Sequence, residues 1–366
     1  MRVMQVMAGA QRGGAEEFFV RLTVGLAQSG IETRAVIRSF PPRREALAAG
    51  GVPVKELPFG GWLDFYTGPR LAEQIAEFKP DIVMSWMNRA TSFVPKADRV
   101  TRHRDFIHVG RLGGYYGMKY YRECDHLICN TRDVVDHIIR SGWPAGRAHL
   151  LPNFADESSA PTVTRASLAT PTDAPLFLAL GRLHENKGFD LLLNAMVMLP
   201  SAYLWLAGDG PLRKELESQV TRLKLGERVR FLGWRQDVAG LLAAADALVC
   251  PSRHEPLGNV VIEAWAHATP VIATTAQGPS QLIENGVSGL LVPCDDTGAL
   301  AEAMATVAVD KTLAVNLARG GLASYMKQFT KDAVVAQYRA FFDKITAGRK
   351  TAVSQSRSVT DSASQG

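Results

Sequence analysis

Short apolar runs alternate with segments of helical period along almost the whole chain, in two successive series. The first series opens with RVMQVMA (2–8) and the second with PLFLALG (175–181). Continuous apolar runs separated by amphipathic helices are typical of parallel strands that are covered on both faces. The alternation therefore predicts an α/β chain with two doubly wound, Rossmann-like domains in tandem.

A polar stretch separates the two series. Residues 156–175, DESSAPTVTRASLATPTDAP, are rich in Ser, Thr, Ala and Pro and are predicted to form a linker. The N-terminal domain is accordingly expected at 1–155 and the C-terminal domain at 176–325. A last helical pattern covers 326–348, and the polar tail at 349–366 is predicted to be disordered.

Composition places the chain among ordinary globular proteins. Of its 366 residues, 46% are hydrophobic and 21% are charged, so a sizeable core is available. No stretch reaches the roughly 18 apolar residues that a membrane span needs, and the N-terminus is expected to be a first strand and not a signal peptide. Four cysteines without a C-x-x-C pair favour buried thiols in a reducing cytoplasm over zinc or disulfides: Cys124, Cys129, Cys250 and Cys294.

The net charge of +5 is unevenly distributed. Residues 1–155 hold 21 Lys and Arg against 15 Asp and Glu, whereas residues 156–366 hold 20 against 21. The basic first half suits an anionic partner, such as a phosphorylated substrate or an anionic membrane surface, and an ordinary solvated face is the alternative. No basic platform interleaved with aromatic residues is present, so nucleic acid is not an expected partner.

Candidate binding residues follow the strands, because ligands of open α/β sheets lie outside the carboxyl ends of the strands. Gly13 and Gly14 follow the first strand and open a helix, whose N–H groups can face an anion. They match neither G-x-G-x-x-G nor a P-loop, and a double glycine is often only a tight turn.

Two further strand ends lie in the second series. Arg182 and Lys187 follow PLFLALG and can neutralise a diphosphate, although two exposed basic residues are the alternative. Gly208 and Asp209 follow the next strand, where glycine permits the close approach of a flat ring or a backbone. An ordinary turn explains that pair equally well.

The segment SRHEPLGNVVIEA (252–264) carries two carboxylates, Glu255 and Glu263, around a predicted helix start at Gly258 and Asn259. Carboxylates accept hydrogen bonds from sugar hydroxyls, and a helix start attracts anions. Glu263 stands in an otherwise apolar helical run, where a charged side chain needs a partner, although a solvent-facing acid is the alternative.

These segments, in this order, resemble the retaining glycosyltransferases of family four, which have the GT-B fold. The similarity spans roughly residues 1–345, and its most specific part is the pair of glutamates separated by seven residues together with GRL…NKG. The matching segments are GGAEEFF (13–19), LPNFAD (151–156), GRLHENKGFD (181–190), LAGDGPLRKELE (206–217), VRFLGW (229–234), PSRHEPLGNVVIEAWAHATPVIAT (251–274) and LIENGVSGLLVP (282–293). The resemblance implies two Rossmann-like domains facing across a cleft, domain closure, and a last helix that crosses back to the N-terminal domain.

The resemblance also implies roles for the donor-binding residues. It assigns the diphosphate to Arg182, Lys187 and the N–H groups of Leu257, Gly258 and Asn259. It assigns the ribose to Glu263 and the transferred sugar to Glu255. The base would be flanked by Gly208, Asp209 and the segment from Gly233 to Arg235, and Gly13 and Gly14 would approach the sugar-phosphate from the other domain.

Several positions depart from the family pattern. Pro256-Leu257-Gly258 stands where Gly-Phe-Gly is usual, Ala268 where Gly is usual, and Gln281 where Glu is usual. These departures leave the identity of the donor sugar open.

The family also places a histidine at the end of one N-terminal strand, near the reacting carbon. In DFIHVGRLGGYY (105–116), the residue type favours His108 and the strand-end position favours Arg111.

The implied activity is the transfer of a sugar from a nucleotide-diphospho-sugar, with retention, to a glycan or lipid-linked acceptor of the cell envelope. The amino-acid sequence of the C-terminal half resembles that of family members which act on lipopolysaccharide core. Arg182, Lys187 and helix N-termini would stabilise the leaving diphosphate, so no metal cofactor is expected. Candidate acceptor contacts follow N-terminal strands, and ordinary loop residues are the alternative: Asn88, Arg89, Tyr115 and Tyr116. We expect a cytoplasmic protein, peripheral on the inner face of the membrane.

Other classes remain as alternatives. A sugar-nucleotide epimerase or a phosphorylase would share the architecture, although no lysine motif for pyridoxal phosphate stands out. A dinucleotide oxidoreductase is disfavoured by the missing G-x-G-x-x-G. A non-catalytic sugar-nucleotide-binding protein would keep the fold without the activity.

Overall fold

A computed structural model of the protein describes residues 1–11, 13–61, 63–97, 104–155, 157 and 161–363, with side chains through residue 349. The chain divides into two compact units, Met1–Pro152 together with Asp332–Gly366, and Asn153–Lys331. Residues 156 and 158–160 of the predicted linker, and 364–366 of the predicted tail, lie outside the described residues.

The first unit is built on a seven-stranded parallel sheet. Its strands are β1 (Arg2–Met7), β2 (Glu32–Arg38), β3 (Val54–Leu57), β4 (Ile82–Trp86), β5 (Ile107–Leu112), β6 (His126–Cys129) and β7 (Ala148–Leu150). They lie in the order β3-β2-β1-β4-β5-β6-β7, so the strand order reverses between β1 and β4. Ligands of doubly wound sheets bind at that reversal, outside the carboxyl ends of the strands.

Helices cover this sheet. They are α1 (Gly14–Gln28), α2 (Pro41–Ala49), α3 (Thr67–Phe78), α4 (Met87–Phe93), α5 (Arg132–Arg140) and the last helix of the chain, α13 (Lys331–Ala363). Helix α5 shows why such segments fold locally, since Val134, Val135 and Ile138 form one buried stripe. Thr131 caps this helix by accepting a hydrogen bond from the Val134 N–H at 3.4 Å.

Helix α13 belongs to the first unit. Its Tyr338 is fully buried, and the Tyr338 hydroxyl accepts a hydrogen bond from Nε of Arg111 at 3.0 Å. The helix runs to Ala363, beyond residue 349 where the sequence predicts disorder. Residues 349–363 contain neither Gly nor Pro, and extending a helix that already exists costs much less than starting one.

The second unit contains a six-stranded parallel sheet. Its strands are β8 (Leu176–Leu180), β9 (Tyr203–Ala207), β10 (Val229–Gly233), β11 (Ala247–Cys250), β12 (Val271–Thr274) and β13 (Leu290–Val292), in the order β10-β9-β8-β11-β12-β13. Its helices are α6 (Phe189–Val197), α7 (Arg213–Arg222), α8 (Val238–Ala244), α9 (Asn259–Ala266), α10 (Gln277–Leu282), α11 (Thr297–Val309) and α12 (Lys311–Gln328). Here the strand order reverses between β8 and β11.

The apolar run of β8 is continuous because both faces of the sheet are buried. Phe177 and Ala179 pack in one hydrophobic cluster, whereas Leu176, Leu178 and Leu180 pack in another. Adjacent side chains of a strand point to opposite faces, so a strand at the centre of the sheet needs apolar residues at every position.

No helix in the described part of the chain combines the length and the hydropathy needed to cross a membrane. The four cysteines are free thiols; Cys124, Cys129 and Cys250 are buried, and Cys294 is half-buried.

Two adjacent glycines let helix α12 pack closely on its neighbours, Gly320 on the loop before β13 and Gly321 on α9. A Cβ atom on Gly320 would lie 2.0 Å from the carbonyl oxygen of Val287, and one on Gly321 would lie 2.3 Å from Cδ1 of Trp265. Trp265 belongs to α9, which also carries Glu263. The missing side chain of Gly321 therefore lets α12 pack against the helix that bears a candidate site residue.

We expect Gly320→Ala to lower the free energy of unfolding by about 1–3 kcal/mol, because the new methyl group would overlap a backbone carbonyl. Helix preference alone would raise that free energy by about 1 kcal/mol. Gly298→Ala is the matched control, since the nearest atom to its Cβ would be Oδ1 of Asp296 at 3.5 Å. Chemical denaturation measures both, and equal midpoints for the two variants would contradict the close approach.

Candidate functional site

Two loops meet where the strand order of the second sheet reverses. The loop after β8 (181–188) and the loop after β11 (251–258) are joined by hydrogen bonds from the N–H groups of Arg253 and His254 to the carbonyl oxygen of Asn186, at 2.8 and 3.1 Å. A Cβ atom on Gly188 would lie 2.1 Å from the carbonyl oxygen of Pro251, so only glycine permits this approach. The structure thus joins two segments that the sequence singled out separately.

Lys187 and Glu255 form an ion pair across these loops, between Nζ and Oε2. The other carboxylate oxygen of Glu255 accepts a hydrogen bond from the Gly258 N–H at 3.2 Å, and Ser252 Oγ lies 3.5 Å from Oε2. Burial opposes the charge of Lys187, but Glu255 and Glu263 raise the pKa of this lysine above its ordinary value. Lys187 therefore keeps its positive charge at neutral pH.

Helix α9 begins beside this pair. Gly258 takes a left-handed conformation with φ of 84°, and no described side chain caps the helix start that follows it. Leu257 is buried, and Oδ1 of Asn259 accepts a hydrogen bond from Nδ2 of Asn153 at 2.8 Å. The first N–H groups of the helix and its dipole give this point a positive potential that suits an anion.

Glu263 lies in the second turn of α9, between buried Ile262 and Ala264, and is itself partly exposed. Its charge contributes to the raised pKa of Lys187, so the two side chains lie within electrostatic reach of each other. The structure therefore brings Lys187, Glu255 and Glu263 together near the start of α9.

Arg182 begins the loop after β8. Its side chain is exposed, and within the described ranges it makes no hydrogen bond or ion pair. The guanidinium is therefore available to an anionic ligand without first breaking a contact inside the protein.

The ends of β8, β9 and β10 form a continuous backbone surface. The Leu183 N–H donates to the carbonyl oxygen of Asp209 at 3.0 Å, and the Gly208 N–H donates to that of Gly233 at 2.7 Å. A Cβ atom on Gly208 would lie 1.8 Å from the carbonyl oxygen of Gly181. Glycine at this position is thus required by the close approach of two loops.

Arg235 follows β10 and is engaged by a neighbour. Its Nε and a terminal nitrogen donate to the two carboxylate oxygens of Asp237 at 2.7 and 2.5 Å. The hydrogen bonds that Arg235 donates to Asp237 raise the pKa of Arg235. Any contact of Arg235 with a ligand must share its guanidinium with this carboxylate.

In the first unit, Gly13 and Gly14 lie after β1, at the reversal of that sheet. The loop before them is held by Glu16, whose Oε1 accepts a hydrogen bond from the Ala10 N–H at 2.8 Å. Buried Arg43 donates to the carbonyl oxygen of Ala10 at 2.5 Å. Neither side chain was predicted from the sequence. Glu16 stands in the GGAEE run that the sequence analysis had already singled out, whereas Arg43 lies on α2, a helix that was not predicted.

His108 and Arg111 both lie within β5, three residues apart and therefore on opposite faces of the sheet. His108 is 1% exposed, and its Nε2 lies 2.8 Å from Oγ of Ser85. Burial lowers the pKa of His108 to about 3, and the nearby charge of Arg104 adds to this effect. The imidazole is therefore neutral over the whole physiological range.

Arg111 is also buried, in an aromatic surrounding. Its guanidinium carbon lies 4.5 Å from the ring centre of Trp86 and 4.8 Å from that of Phe18. Cation–π contacts of this kind stabilise a charge that burial would otherwise penalise. Together with the hydrogen bond to Tyr338, they place the Arg111 charge inside the unit, close to the end of β5.

The four candidate acceptor residues lie after β4 and β5. Arg89 is exposed and donates to the carbonyl oxygen of Phe59 at 3.4 Å, while Oδ1 of Asn88 is buried without a hydrogen-bond partner among the described residues. Tyr115 is exposed and donates its hydroxyl proton to Asp133.

Tyr116 is half-buried, and burial raises the pKa of its hydroxyl. Glu16 raises it further, whereas Arg111 opposes the shift. Tyr116 therefore lies within electrostatic reach of both side chains, so the loops after β1 and β5 lie close together.

Within the residues that the structure covers, no group of three or more His, Cys, Asp or Glu side chains is placed to hold a metal ion. The chemistry visible at these strand ends is that of cations, carboxylates and backbone N–H groups.

Comparison with known proteins places this geometry in a family. The family model described as "Glycosyl transferases group 1" matches residues 174–310, and the model "Glycosyltransferase Family 4" matches residues 12–159. The lipopolysaccharide core biosynthesis glycosyltransferase LpsD of Rhizobium meliloti (strain 1021) is 37% identical over 352 residues, covering 95% of this chain and 100% of the relative. LpsE of the same organism, with the same description, is 36% identical and covers 89% and 94%.

A solved structure shows the same fold. Anabaena Alr3699/HepE in complex with UDP-glucose superposes with a TM-score of 0.83 over 94% of this chain and 100% of that chain, at 22% identity. Both α/β units, with their parallel sheets and reversed strand orders, are included in that coverage. The chain therefore belongs to the group 1, family-four glycosyltransferases and has their GT-B fold.

Proposed function

We propose that this glycosyltransferase moves a sugar from a nucleotide-diphospho-sugar to a lipid-linked saccharide during lipopolysaccharide core assembly, with retention at the anomeric carbon. The observation that carries the proposal is the Lys187–Glu255 ion pair beside the start of α9, with Glu263 acting on the same lysine. The acceptor class is supported by LpsD and LpsE, which are described as lipopolysaccharide core biosynthesis enzymes.

The donor diphosphate would lie against the first turn of α9. Lys187 keeps its charge there, and Arg182 is exposed without a partner in the described part of the chain. The backbone N–H groups of Leu257 and Asn259, and that of Gly258 once the Glu255 carboxylate releases it, would complete the anion site, because a helix start donates hydrogen bonds and carries a positive potential.

The rest of the donor would be recognised by carboxylates and by the glycine surface. Glu263 would accept hydrogen bonds from the ribose, and Glu255 would face the transferred sugar. The base would lie along Gly208, Asp209 and Arg235, where glycine leaves the backbone bare.

Catalysis in this proposal is electrostatic. The bond from the anomeric carbon to the diphosphate oxygen breaks, and the acceptor oxygen bonds to that carbon on the same face. The acceptor proton passes to the departing phosphate oxygen. Arg182, Lys187 and the N–H groups of α9 stabilise the charge that grows on the leaving diphosphate. We propose that these groups take the place of a metal cofactor.

The acceptor would contact the first unit. Asn88 and Arg89 follow β4, and Tyr115 and Tyr116 follow β5, so the four residues lie at the carboxyl edge of that sheet. We propose that the protein works in the cytoplasm, at the inner face of the membrane. The basic first half of the chain supports this location.

Of the two candidates in β5, we retain Arg111 as a positioning residue. Its charge acts on Tyr116, and it holds the Tyr338 hydroxyl. His108 is assigned no proton transfer, because it is enclosed and its pKa is far below neutral.

A donor screen tests the proposal. Purified protein is incubated with uridine, guanosine and adenosine diphospho-sugars, with and without a lipid extract of the source cell, and released nucleoside diphosphate is measured. Release that needs both one donor and the extract supports the transferase. Release of a changed sugar nucleotide without extract would indicate an epimerase, and binding of donors without release from any acceptor fraction would indicate a binding protein.

Lys187→Met should weaken nucleoside diphosphate binding roughly 10- to 150-fold, since hydrogen bonds to charged groups contribute about 1.5–3 kcal/mol. Calorimetric titration measures the effect, and exposed Lys214→Met on α7 is the control. Because the single change leaves Glu255 buried without its cation, stability should also fall. The double variant K187M/E255Q should recover stability but not binding, and recovery of both would contradict a direct role for Lys187.

Glu263→Gln should reduce affinity for the same nucleoside diphosphate by a similar factor, because an amide oxygen is a weaker acceptor for the ribose hydroxyls than a carboxylate. Glu302→Gln, at an exposed position of α11, is the matched control. A larger effect on a free diphosphate than on the nucleoside diphosphate would contradict the ribose assignment.

The protonation of His108 offers a prediction about pH. Its pKa is about 3 in the folded protein and about 6.5 when unfolded, so the unfolded chain binds the extra proton between these values. Stability from this residue is complete above pH 6.5 and falls as pH decreases, by about 1.4 kcal/mol per pH unit. We expect His108→Asn to flatten the loss of stability between pH 6 and 4, and an unchanged slope in denaturant titrations would contradict this.

A further inference from the structure

Arg253 links three segments at the carboxyl ends of the strands of the second unit. It lies in the loop after β11, two positions before Glu255. Its side chain donates to Asp190, in the first turn of α6, and to Asp295, in the loop after β13. Helix α6 follows β8, so Arg253 joins the segments that follow three strands of one sheet.

The contact with Asp190 is bidentate. The two terminal nitrogens of Arg253 donate to the two carboxylate oxygens of Asp190, both at 2.7 Å, and its Nε donates to Oδ1 of Asp295 at 2.6 Å. The hydrogen bonds to Asp190 raise the pKa of Arg253; burial opposes this shift, and the bond to Asp295 adds to it. The same contact lowers the pKa of Asp190. Both members are therefore charged at neutral pH.

Solvent reaches all three side chains of this network. Those of Arg253, Asp190 and Asp295 expose 28%, 43% and 58% of their surfaces. An isolated exposed ion pair contributes little to stability, whereas a bidentate pair within a network of charges is held in one geometry. The expected role of Arg253 is therefore to fix the position of the backbone that it contacts.

Arg253 holds the backbone of the two residues that precede Lys187. Residues Glu185–Lys187 form a short 3₁₀ turn in the loop after β8. The carbonyl oxygen of Glu185 accepts a hydrogen bond from a terminal nitrogen of Arg253 at 3.1 Å, and that of Asn186 accepts one from the Arg253 N–H at 2.8 Å. A turn this short has little stability of its own, because few internal hydrogen bonds offset the cost of ordering it. Its shape therefore depends on the contacts that Arg253 supplies.

Lys187 ends that turn, and its amine pairs with Glu255. The lysine stem is flexible, so the place of the amine depends on where the backbone starts the stem. Arg253 lies on the same loop as Glu255 and contacts the turn that carries Lys187, so it influences both members of the pair. Its Nε and both terminal nitrogens already donate to protein oxygens. Arg253 is therefore placed to act through Lys187.

We propose that Arg253 is a positioning residue for the donor diphosphate, because it holds the turn that presents Lys187. The contact with Asp295 braces it from the loop after β13. That Lys187 binds the diphosphate rests on the proposed function, whereas the coupling of Arg253 to the Lys187–Glu255 pair does not. If Arg253 instead contacted the diphosphate directly, its effect on binding would not require Lys187.

A double-mutant cycle on the purified full chain tests the proposal. Calorimetric titration with uridine, guanosine and adenosine diphosphate gives the Kd for the unchanged protein, Arg253→Gln, Lys187→Met and the double variant. Arg253→Gln should raise the Kd roughly three- to tenfold, because residues that act through one another are strongly coupled. In the Lys187→Met background the same change should have less than about a twofold effect, since the amine that Arg253 positions is absent.

Arg165→Gln is the matched control. Arg165 also pairs with an acid, Asp246, at 3.0 Å, and donates to the carbonyl oxygens of Ala174 and Ala244 at 2.9 and 2.8 Å. These partners precede β8 and β11, at the opposite edge of the sheet. Loss of Arg165 should therefore lower stability and leave the Kd unchanged.

Asp190→Asn is a second variant, which keeps the test decisive if Arg253→Gln does not fold. It removes one charge of the bidentate pair from the side of α6 and leaves Arg253 in place. The Kd should rise in the unchanged background and respond less in the Lys187→Met background, as for Arg253→Gln.

Denaturant titrations of the four proteins measure the coupling without a ligand. Arg253→Gln and Lys187→Met together should shift the midpoint by less than the sum of their separate shifts, because the Lys187–Glu255 pair is already loosened without Arg253. If Lys187→Met leaves the Kd unchanged, the proposed donor site is wrong, and the midpoints alone decide the role of Arg253.

Two results would overturn the positioning proposal. One is an equal effect of Arg253→Gln on the Kd with and without Lys187, which would make Arg253 an independent ligand contact. The other is a pair of midpoint shifts that simply add, which would leave Arg253 without influence on the Lys187–Glu255 pair.

Discussion

Lys187 and Glu255 join the two loops that meet at the strand reversal of the second sheet. Taking two charges out of water costs free energy that their attraction offsets only in part, so such a pair is weak evidence for stability. Hydrogen bonds from the Gly258 N–H and contact with Ser252 complete the carboxylate shell. The pair instead fixes a position, because it holds the protonated amine of Lys187 beside the start of α9. The donor-binding proposal depends on that arrangement more than on any single residue.

The surface around the pair is shaped by glycines, which have no side chain. Carbonyl oxygens occupy the places of Cβ atoms at Gly188, against Pro251, and at Gly208, against Gly181. The loops therefore present backbone to one another and to a ligand. Backbone N–H groups and fixed carbonyls are already oriented before a ligand arrives, so less reorganisation is needed at the transition state.

Most strands and helices of the second unit were predicted from the sequence, because each of them shows its own hydrophobic pattern. The strands from β8 to β13 are short apolar runs. Arg182, Lys187 and Glu255 stand in loops at strand ends, where ligands of such sheets bind, and Glu263 lies in the helix that follows. Helix α12 was not predicted, since adjacent glycines at 320 and 321 disfavour a helix by intrinsic preference. Its burial at Leu317, Gly321 and Tyr325, every fourth residue, shows that packing overrides that preference.

The first unit was predicted less well, because its loops are shaped by contacts between residues far apart in the chain. Arg43 reaches the carbonyl oxygen of Ala10 from α2, and β3 is an edge strand whose VKEL sequence has little apolar pattern. An acidic residue in a loop is normally read as solvent-facing. Asp64 instead accepts the Gly60 N–H of its own loop, and Glu16, in the first turn of α1, accepts the Ala10 N–H of the preceding loop. Asp64 also accepts a hydrogen bond from the Thr67 hydroxyl, a contact that neither residue type nor hydrophobic period predicts.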